Sequence, residues 1–327
     1  MKSIGGYFSL ELPLINGNYI HNKGIYLNSG RNALEYILSS IPNIHCLWIP
    51  YYTCDVILEP LKKMNIPYHF YSINERLEMV SEIELDENEY LLVTNYFGIK
   101  DTYIKELAFR YGKHLIVDNA QAFFTEPIEN IKTIYSPRKF IGVPDGGIAY
   151  IENGFDTSNL ERDISYNRCS HLLKRLDLGA ENGYLDFREN SHSLVNQPIK
   201  KMSELTSYIL HHVEFDSIKK QRRKNFIQLH RELSGINKLN IPELESFACP
   251  MVYPFYVSTD SLKKRLIEDK IYIATYWPNV LEWRKSDDTE YILTNRILPL
   301  PIDQRYGEDD MERILRIINK ELISYEI

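Results

Sequence analysis

The stretch YSPRKFIGVPDGG, residues 135–147, joins two short apolar segments and contains a serine, two adjacent cations and a double glycine. The flanking segments, IKTIY (131–135) and GIAYI (147–151), are typical of buried strands. Lys139 is therefore predicted on a loop between strands, with Ser136 three residues before it. Most lysines are solvated, so the argument for a chemical role rests on what lies elsewhere along the chain.

Further strands alternate with helical segments through the first half of the chain. The predicted strands are CLWIP (46–50), YHFYSI (68–73), EYLLVTNYF (89–97) and KHLIVD (113–118), and a helix is predicted from about 101 to 111. This alternation indicates an α/β fold with a mixed, mostly parallel sheet and helices on both faces. Ligands of such sheets bind at the carboxyl ends of the strands.

The second half of the chain has a different pattern. Residues 155–200 are polar and are predicted to be rich in loops, whereas residues 200–233 have a helical pattern. The charge run IKKQRRKNF (218–226) is interpreted as a solvated helix face. Strands are predicted at MVYPFYV (251–257) and KIYIATYW (270–277), with helices near 260–269 and 308–323. We expect a large domain over residues 1–225 and a smaller C-terminal α+β domain over residues 226–327.

Composition excludes several classes of function. The net charge of −7 argues against binding to nucleic acid or an anionic membrane. Four cysteines, at positions 46, 54, 169 and 249, fit neither a zinc pattern nor a disulfide framework, which indicates a reducing compartment. The first residues have no signal-peptide pattern, and no apolar run is long enough to span a membrane. We therefore expect a cytoplasmic protein.

Three groups of residues at predicted strand ends are candidates for one site. Ser29, Gly30 and Arg31 in LNSGRNALEYIL (27–38) precede a helix whose N-terminus could bind an anion, although a simple helix cap is an alternative. Asp118 ends a strand in HLIVDNAQAFF (114–124), and Lys139 follows on its loop. Pyridoxal phosphate needs these three parts: an anion site for its phosphate, an acid at its ring nitrogen, and a lysine for its aldehyde.

These segments together resemble the DegT/StrS-type (DegT/DnrJ-like) sugar aminotransferases, which are pyridoxal-phosphate enzymes of the aspartate aminotransferase fold (fold type I). VDNAQAFF is similar to the family's acid-x-Ala-Gln-Ala segment. By that match Asp118 would hold the pyridine nitrogen and Gln121 would lie along the ring. SPRKFIGVPDGG resembles the lysine loop, which implies that Lys139 forms the Schiff base and that Ser136 is a cofactor contact. SGRNAL resembles the phosphate turn.

The resemblance implies transfer of an amino group from L-glutamate to a nucleotide-linked keto sugar, for polysaccharide or other amino-sugar biosynthesis, by a homodimer. Some family members carry histidine instead of the lysine and act as dehydratases, a branch that Lys139 argues against. Two alternatives stay open at this point. One is a non-catalytic or regulatory protein with the same fold, and the other is a pyridoxal-phosphate enzyme acting on a non-sugar substrate.

The sequence departs from the family pattern at several positions. Arg31 stands where the phosphate turn has threonine, and Cys54 falls where an aromatic ring usually stacks on the cofactor. In QPIKKMSEL (197–205), Ile199 takes the place of an asparagine that contacts the phosphate from the partner subunit, and Lys201 takes the place of an arginine. Trp277 and Arg305 are interpreted either as substrate contacts or as structural residues.

Overall fold

A seven-stranded sheet forms the centre of the computed structural model, which describes residues 9–13, 20–245, 248–257 and 261–323. Its strands are β1 (Ile25–Leu27), β2 (Cys46–Pro50), β3 (Tyr68–Tyr71), β4 (Glu89–Thr94), β5 (Leu115–Asn119), β6 (Lys132–Tyr135) and β7 (Gly147–Tyr150). They lie in the order β1-β7-β6-β5-β4-β2-β3. Only β7 runs antiparallel to its neighbours, so the prediction of a mixed, mostly parallel sheet is confirmed.

The sheet is covered on both faces because the middle residues of its central strands, such as Leu91–Val93 of β4, are apolar in unbroken succession. Leu92 and Ile116 belong to a core cluster with α1 (Gly30–Ser39) and α2 (Leu58–Lys63). Their neighbours Leu91 and Val117 belong to a second cluster on the other face, with α3 (Asp101–Tyr111). Successive side chains of a strand point to opposite faces, so a continuous apolar run requires helices on both sides.

The prediction that residues 155–200 are rich in loops is wrong. Two helices, α4 (Ser170–Leu178) and α5 (Ala180–Ser193), form a hairpin that turns at Gly179, whose φ is +91°. The hairpin reaches across the lysine loop, where the Asn190 amide donates to the carbonyl of Pro144 at 2.8 Å. It also meets the C-terminal part of the chain, where the Tyr272 hydroxyl donates to Glu181 at 2.6 Å.

The rest of the chain is mainly helical. It contains α6 (Glu204–His211), α7 (Phe215–Leu233), α8 (Ser261–Glu268), α9 (Val280–Trp283), α10 (Thr289–Arg296) and α11 (Glu308–Ile323). A two-stranded antiparallel sheet pairs β8 (Val252–Tyr256) with β9 (Ile297–Pro301). The strand predicted at residues 270–277 is wrong, because ILPLP (297–301) takes that place in the sheet. The domain limits stay a prediction, and α7 runs through the expected boundary after residue 225.

The interpretation of residues 218–226 as a solvated face needs a correction, because Arg222, Asn225 and Phe226 are buried. Arg222 is 2% exposed. Its guanidinium donates to the carbonyl of Met251 at 2.9 Å and to Gln304 Oε1 at 3.0 Å, and it lies 4.6 Å from the centre of the Phe140 ring. A cation of the run therefore packs inside the protein. No helix in the described part of the chain is long and apolar enough to cross a membrane.

Candidate active site

The fold brings the predicted site residues to the carboxyl edge of the sheet. Ser29 and Gly30 follow β1 at the start of α1, Asp118 lies near the end of β5, and Lys139 follows β6. The glycine pair after Asp145 connects two of these segments, since Gly146 donates its backbone N–H to the Asn28 carbonyl at 2.8 Å. Segments far apart in sequence therefore meet at one edge of the sheet.

Asp118 is a buried carboxylate with a single described hydrogen bond. Its Oδ1 accepts from the backbone N–H of Ala120 at 2.8 Å, and the residue is 9% exposed. Burial raises the pKa of Asp118, while the nearby Lys139 ammonium acts to lower it. A carboxylate in this setting can accept a further hydrogen bond from a cationic partner such as a protonated ring nitrogen.

Lys139 lies in a short helical turn, residues 137–139, and its side chain is exposed. The turn is fixed by hydrogen bonds from the N–H groups of Phe140 and Ile141 to the Pro137 carbonyl, at 2.9 and 2.8 Å. Among the described residues, the Lys139 ammonium has no hydrogen bond or ion pair. Its charge acts on the pKa of both Asp118 and Cys54, so these three side chains lie near one another.

Gln121 is held by the backbone and has an unused donor. Its Oε1 accepts from the N–H of Phe97 at 2.9 Å, and this bond stabilises Phe97 at a φ of +57°. The Nε2 atom of Gln121 is buried without a hydrogen-bond partner among the described residues. Buried donors are rarely left unpaired, so a bound molecule is expected to accept from this amide.

The start of α1 has the geometry of an anion site. The Ser29 hydroxyl caps the helix by accepting from the Asn32 N–H at 3.1 Å, so part of the simple-cap interpretation is correct. Gly30 faces Ser136, since a methyl group at Gly30 would lie 3.7 Å from the Ser136 Cβ. Gly147 allows this close approach because a Cβ there would lie 2.1 Å from the Ser29 carbonyl oxygen. The helix N-terminus and the Ser136 segment therefore face a common space.

Arg31 has a partner within the chain, and Cys54 has a thiol that favours its neutral form, so neither is a free charged contact for the cofactor. The Arg31 Nε lies 3.5 Å from Glu59 Oε2 on α2, so its charge is partly neutralised within the chain. Cys54 is half-buried, and burial raises the pKa of its thiol, which favours the protonated form. Tyr52 cannot replace the missing aromatic ring, because it is fully buried with its ring 5.2 Å from that of Trp277.

The remaining candidates have structural roles. Trp277 is 7% exposed and belongs to the core. Arg305 forms a two-point ion pair with Asp303, at 2.6 and 2.9 Å, rather than with the acidic start of α11. Lys201 donates to the Ser158 carbonyl at 2.7 Å, and the half-buried Ile199 packs near α1.

Sequence reasoning missed Arg138, whose guanidinium Nε is buried without a hydrogen-bond partner among the described residues. The pKa of Arg138 is lowered to about 10 by burial, with smaller contributions from Arg31 and Arg168. Its position beside Lys139 was the available signal, but adjacent residues of a turn need not face the same space. The described residues contain no cluster of His, Cys, Asp and Glu that could hold a metal ion.

The residues present fit pyridoxal phosphate. The Asp118 carboxylate has room for a further donor, the Gln121 amide lacks an acceptor, and the Lys139 amine is free of partners within the described chain. The start of α1 supplies backbone N–H groups beside Ser136. These are complementary to a ring nitrogen, a ring oxygen, an aldehyde and a phosphate.

Comparisons with known proteins bear on the fold. No family model and no curated protein sequence matches the chain. Solved structures do match. Aminotransferase TlmJ from Streptoalloteichus hindustanus has a TM-score of 0.63 at 14% identity, covering 92% of this chain and 86% of that one. A DegT DnrJ EryC1 StrS aminotransferase from Brucella abortus has a TM-score of 0.59 at 16% identity, covering 91% and 85%.

A third neighbour is the E. coli GDP-4-keto-6-deoxy-D-mannose-3-dehydratase with bound hydrated PLP. Its TM-score is 0.61 at 14% identity, with 92% of each chain covered. Each match spans most of both chains, and the seven-stranded mixed sheet agrees with the expected architecture. The chain therefore has the fold of the DegT/DnrJ/EryC1/StrS-type sugar aminotransferases, the pyridoxal-phosphate aminotransferase fold expected from the sequence.

Proposed function

We propose that this chain is a pyridoxal-phosphate-dependent aminotransferase that transfers an amino group from L-glutamate to a nucleotide-linked keto sugar. The observation that carries the proposal is the convergence of Lys139, Asp118 and the start of α1 at the carboxyl edge of the sheet. The lysine argues against the dehydratase chemistry named for one structural neighbour. The keto-sugar substrate class is supported by the structural neighbours and by the motif resemblance. The choice of L-glutamate as amino donor is supported by the motif resemblance alone.

Each residue has a role in binding. The backbone N–H groups of Gly30 and Arg31, with the Ser136 hydroxyl, would bind the phosphate at the positive end of the α1 dipole. The Asp118 carboxylate would accept a hydrogen bond from the pyridine N–H and keep that nitrogen protonated. The Gln121 amide would donate to the ring hydroxyl. When bound, pyridoxal phosphate supplies an electron sink for negative charge that develops on the donor's α-carbon.

Lys139 would do the proton chemistry. Its flexible stem and exposed position allow the amine to bind the cofactor covalently and to be released when the amino donor arrives. The free amine can then remove the proton from the donor's α-carbon. As an ammonium, it could return that proton to the carbon of the cofactor that carried the aldehyde. The Asp118 carboxylate would assist by stabilising the positive charge of the protonated ring nitrogen during both proton transfers.

The test is the absorbance spectrum of the purified protein with pyridoxal phosphate, before and after addition of L-glutamate. We expect a visible band from the lysine adduct, which glutamate converts to the absorbance of the amine form. Borohydride reduction followed by peptide mass spectrometry should locate the cofactor on Lys139. Lys139→Ala should lose both signals, while Lys132→Ala, a change of a lysine on β6, should keep them.

Glutamate turnover by Lys139→Ala at the normal rate would contradict the proposal. An adduct on Lys139 that ignores glutamate would indicate a different amino donor, and glutamate conversion without a response to nucleotide keto sugars would indicate a non-sugar acceptor. A folded protein with no adduct would favour the non-catalytic alternative. We also infer a cytoplasmic homodimer, and light scattering should give twice the 38.5 kDa chain mass.

A further inference from the structure

Arg138 is a partly buried cation whose charge has no carboxylate partner among the described residues. The one hydrogen bond of its side chain there is from Nη2 to the Ser191 hydroxyl at 3.2 Å. Its Nε is buried and unpaired. A buried N–H group without an acceptor is costly, so this guanidinium is expected to bind a further acceptor, and an anion would also match its charge.

The nearby charged groups do not supply that anion. Asp145 is the acidic group whose charge acts on Arg138, but its oxygens already accept from the Ser203 N–H at 2.9 Å, from the Ser203 hydroxyl at 2.7 Å and from the Thr206 hydroxyl. The basic neighbours have carboxylates of their own. Arg31 lies 3.5 Å from Glu59, and Arg168 lies 2.5 Å from Asp163.

The position of Arg138 indicates which anion would bind. It follows Ser136 by two residues, and Ser136 faces Gly30 at the start of α1. Arg31 follows Gly30, and its charge acts on Arg138. Arg138 therefore lies two residues from the side chain that faces the positive end of a ten-residue helix. A phosphate monoester, with up to two negative charges and three acceptor oxygens, matches such a set better than a carboxylate.

We propose that Arg138 binds the phosphate of the cofactor from within the same chain, together with the start of α1 and Ser136. This rests on the proposed function, because pyridoxal phosphate is the phosphate monoester concerned. The segment that resembles the partner-subunit phosphate contact carries Ile199, an apolar side chain that cannot donate a hydrogen bond. Arg138 supplies the hydrogen-bond donor that the family pattern takes from another residue, and adds a positive charge.

The test compares pyridoxal phosphate with pyridoxal, which lacks the phosphate, in the wild type, Arg138→Gln and Arg138→Lys. Dissociation constants are measured by fluorescence titration, and adduct formation on Lys139 by reduction and mass spectrometry. Arg188→Gln on α5 is the matched control, because Arg188 is exposed. We expect Arg138→Gln to weaken pyridoxal phosphate binding about 10- to 100-fold, the range of a charge-assisted hydrogen bond, with pyridoxal binding unchanged.

Arg138→Lys should recover part of the lost affinity for pyridoxal phosphate, because lysine keeps the positive charge but lacks the planar guanidinium that can donate two parallel hydrogen bonds. Equal loss with both ligands, or no loss with pyridoxal phosphate in folded Arg138→Gln, would overturn the inference. If the wild type forms no lysine adduct, the proposed function fails, and stabilisation of the wild type by inorganic phosphate then tests the anion site separately. Stabilisation that Arg138→Gln abolishes would support that site, and its persistence would overturn it.

Discussion

The Asp118 carboxylate illustrates how a site residue can oppose the stability of the protein that carries it. Burial disfavours its charged form, and the one described hydrogen bond and the nearby lysine offset only part of that cost. A ring nitrogen that carries a proton would complete the set of partners. The apoprotein therefore bears a free-energy cost at this position that the bound cofactor is expected to remove.

Asp118→Asn should stabilise the apoprotein at neutral pH and remove transamination. The folded-state pKa of Asp118 is raised, so the folded protein holds this proton more tightly, and the stability that the residue contributes is lost as pH rises through that pKa. The amide cannot ionise and avoids the loss. Denaturant unfolding at several pH values should show that the variant has a larger free energy of unfolding than the wild type at pH 7. This difference should shrink as the pH falls toward 3.8, the ordinary pKa of aspartate.

The same variant should transaminate more slowly by about 10²- to 10³-fold, the typical effect of removing one preorganised electrostatic contact. Stopped-flow absorbance with L-glutamate measures that rate. Asp118→Glu is the control, since it keeps the charge but shifts its position. An apoprotein that Asp118→Asn destabilises at pH 7, or an unchanged rate, would contradict this account of the residue.

Sequence reasoning proposed Asp118 because it ends an apolar strand, and Lys139 because it follows the phosphate-type turn and that aspartate in order along the chain. It could not find the isolation of Arg138 or the pairing of Arg31 with Glu59. Those properties depend on distances between segments that are far apart along the chain. A residue's type indicates what it can bind, whereas its partners are known only once the elements have packed.

Among the elements, the strands of the large sheet were the most predictable and the α4–α5 hairpin the least. Strands such as Leu115–Asn119 are buried throughout, so their composition alone identifies them. The hairpin buries few side chains, among them His171 and Asn190, while Leu176 is 83% exposed. Without a buried apolar stripe the helical period carries little information, so the hairpin was not expected.

Helix α7 shows why a charge run can mislead, and it gives a prediction. Arg222→Met should lower the free energy of unfolding by about 1–3 kcal/mol, because the Met251 carbonyl and the Gln304 side chain lose a buried donor. Lys220→Met, a neighbouring exposed position of the same helix, should change stability by less than about 0.5 kcal/mol. Thermal and urea unfolding measure both variants. Equal effects would mean that Arg222 adds nothing beyond a surface cation.

At the scale of the whole molecule, the apolar core does not divide at residue 225. One cluster of buried side chains includes Tyr52 and Val93 from the first part of the chain and Phe255 and Ile318 from the last part. Across the expected boundary, the ring of Tyr52 lies 5.2 Å from that of Trp277. The expected domains therefore share a core, although the limits 1–225 and 226–327 were drawn from a change in sequence pattern.

We expect this shared core to make unfolding cooperative along the chain. Calorimetry should show a single transition, and saturating pyridoxal phosphate should move all of it upward, although the proposed ligand contacts come from residues before 140. At a ligand concentration 100 times the dissociation constant, the stabilisation should be about 2.7 kcal/mol by mass action. Lys139→Ala should show a smaller shift, because it keeps non-covalent binding only. Two transitions, of which the cofactor moves one, would show that residues 226–327 unfold on their own and that the contacts across residue 225 contribute little to stability.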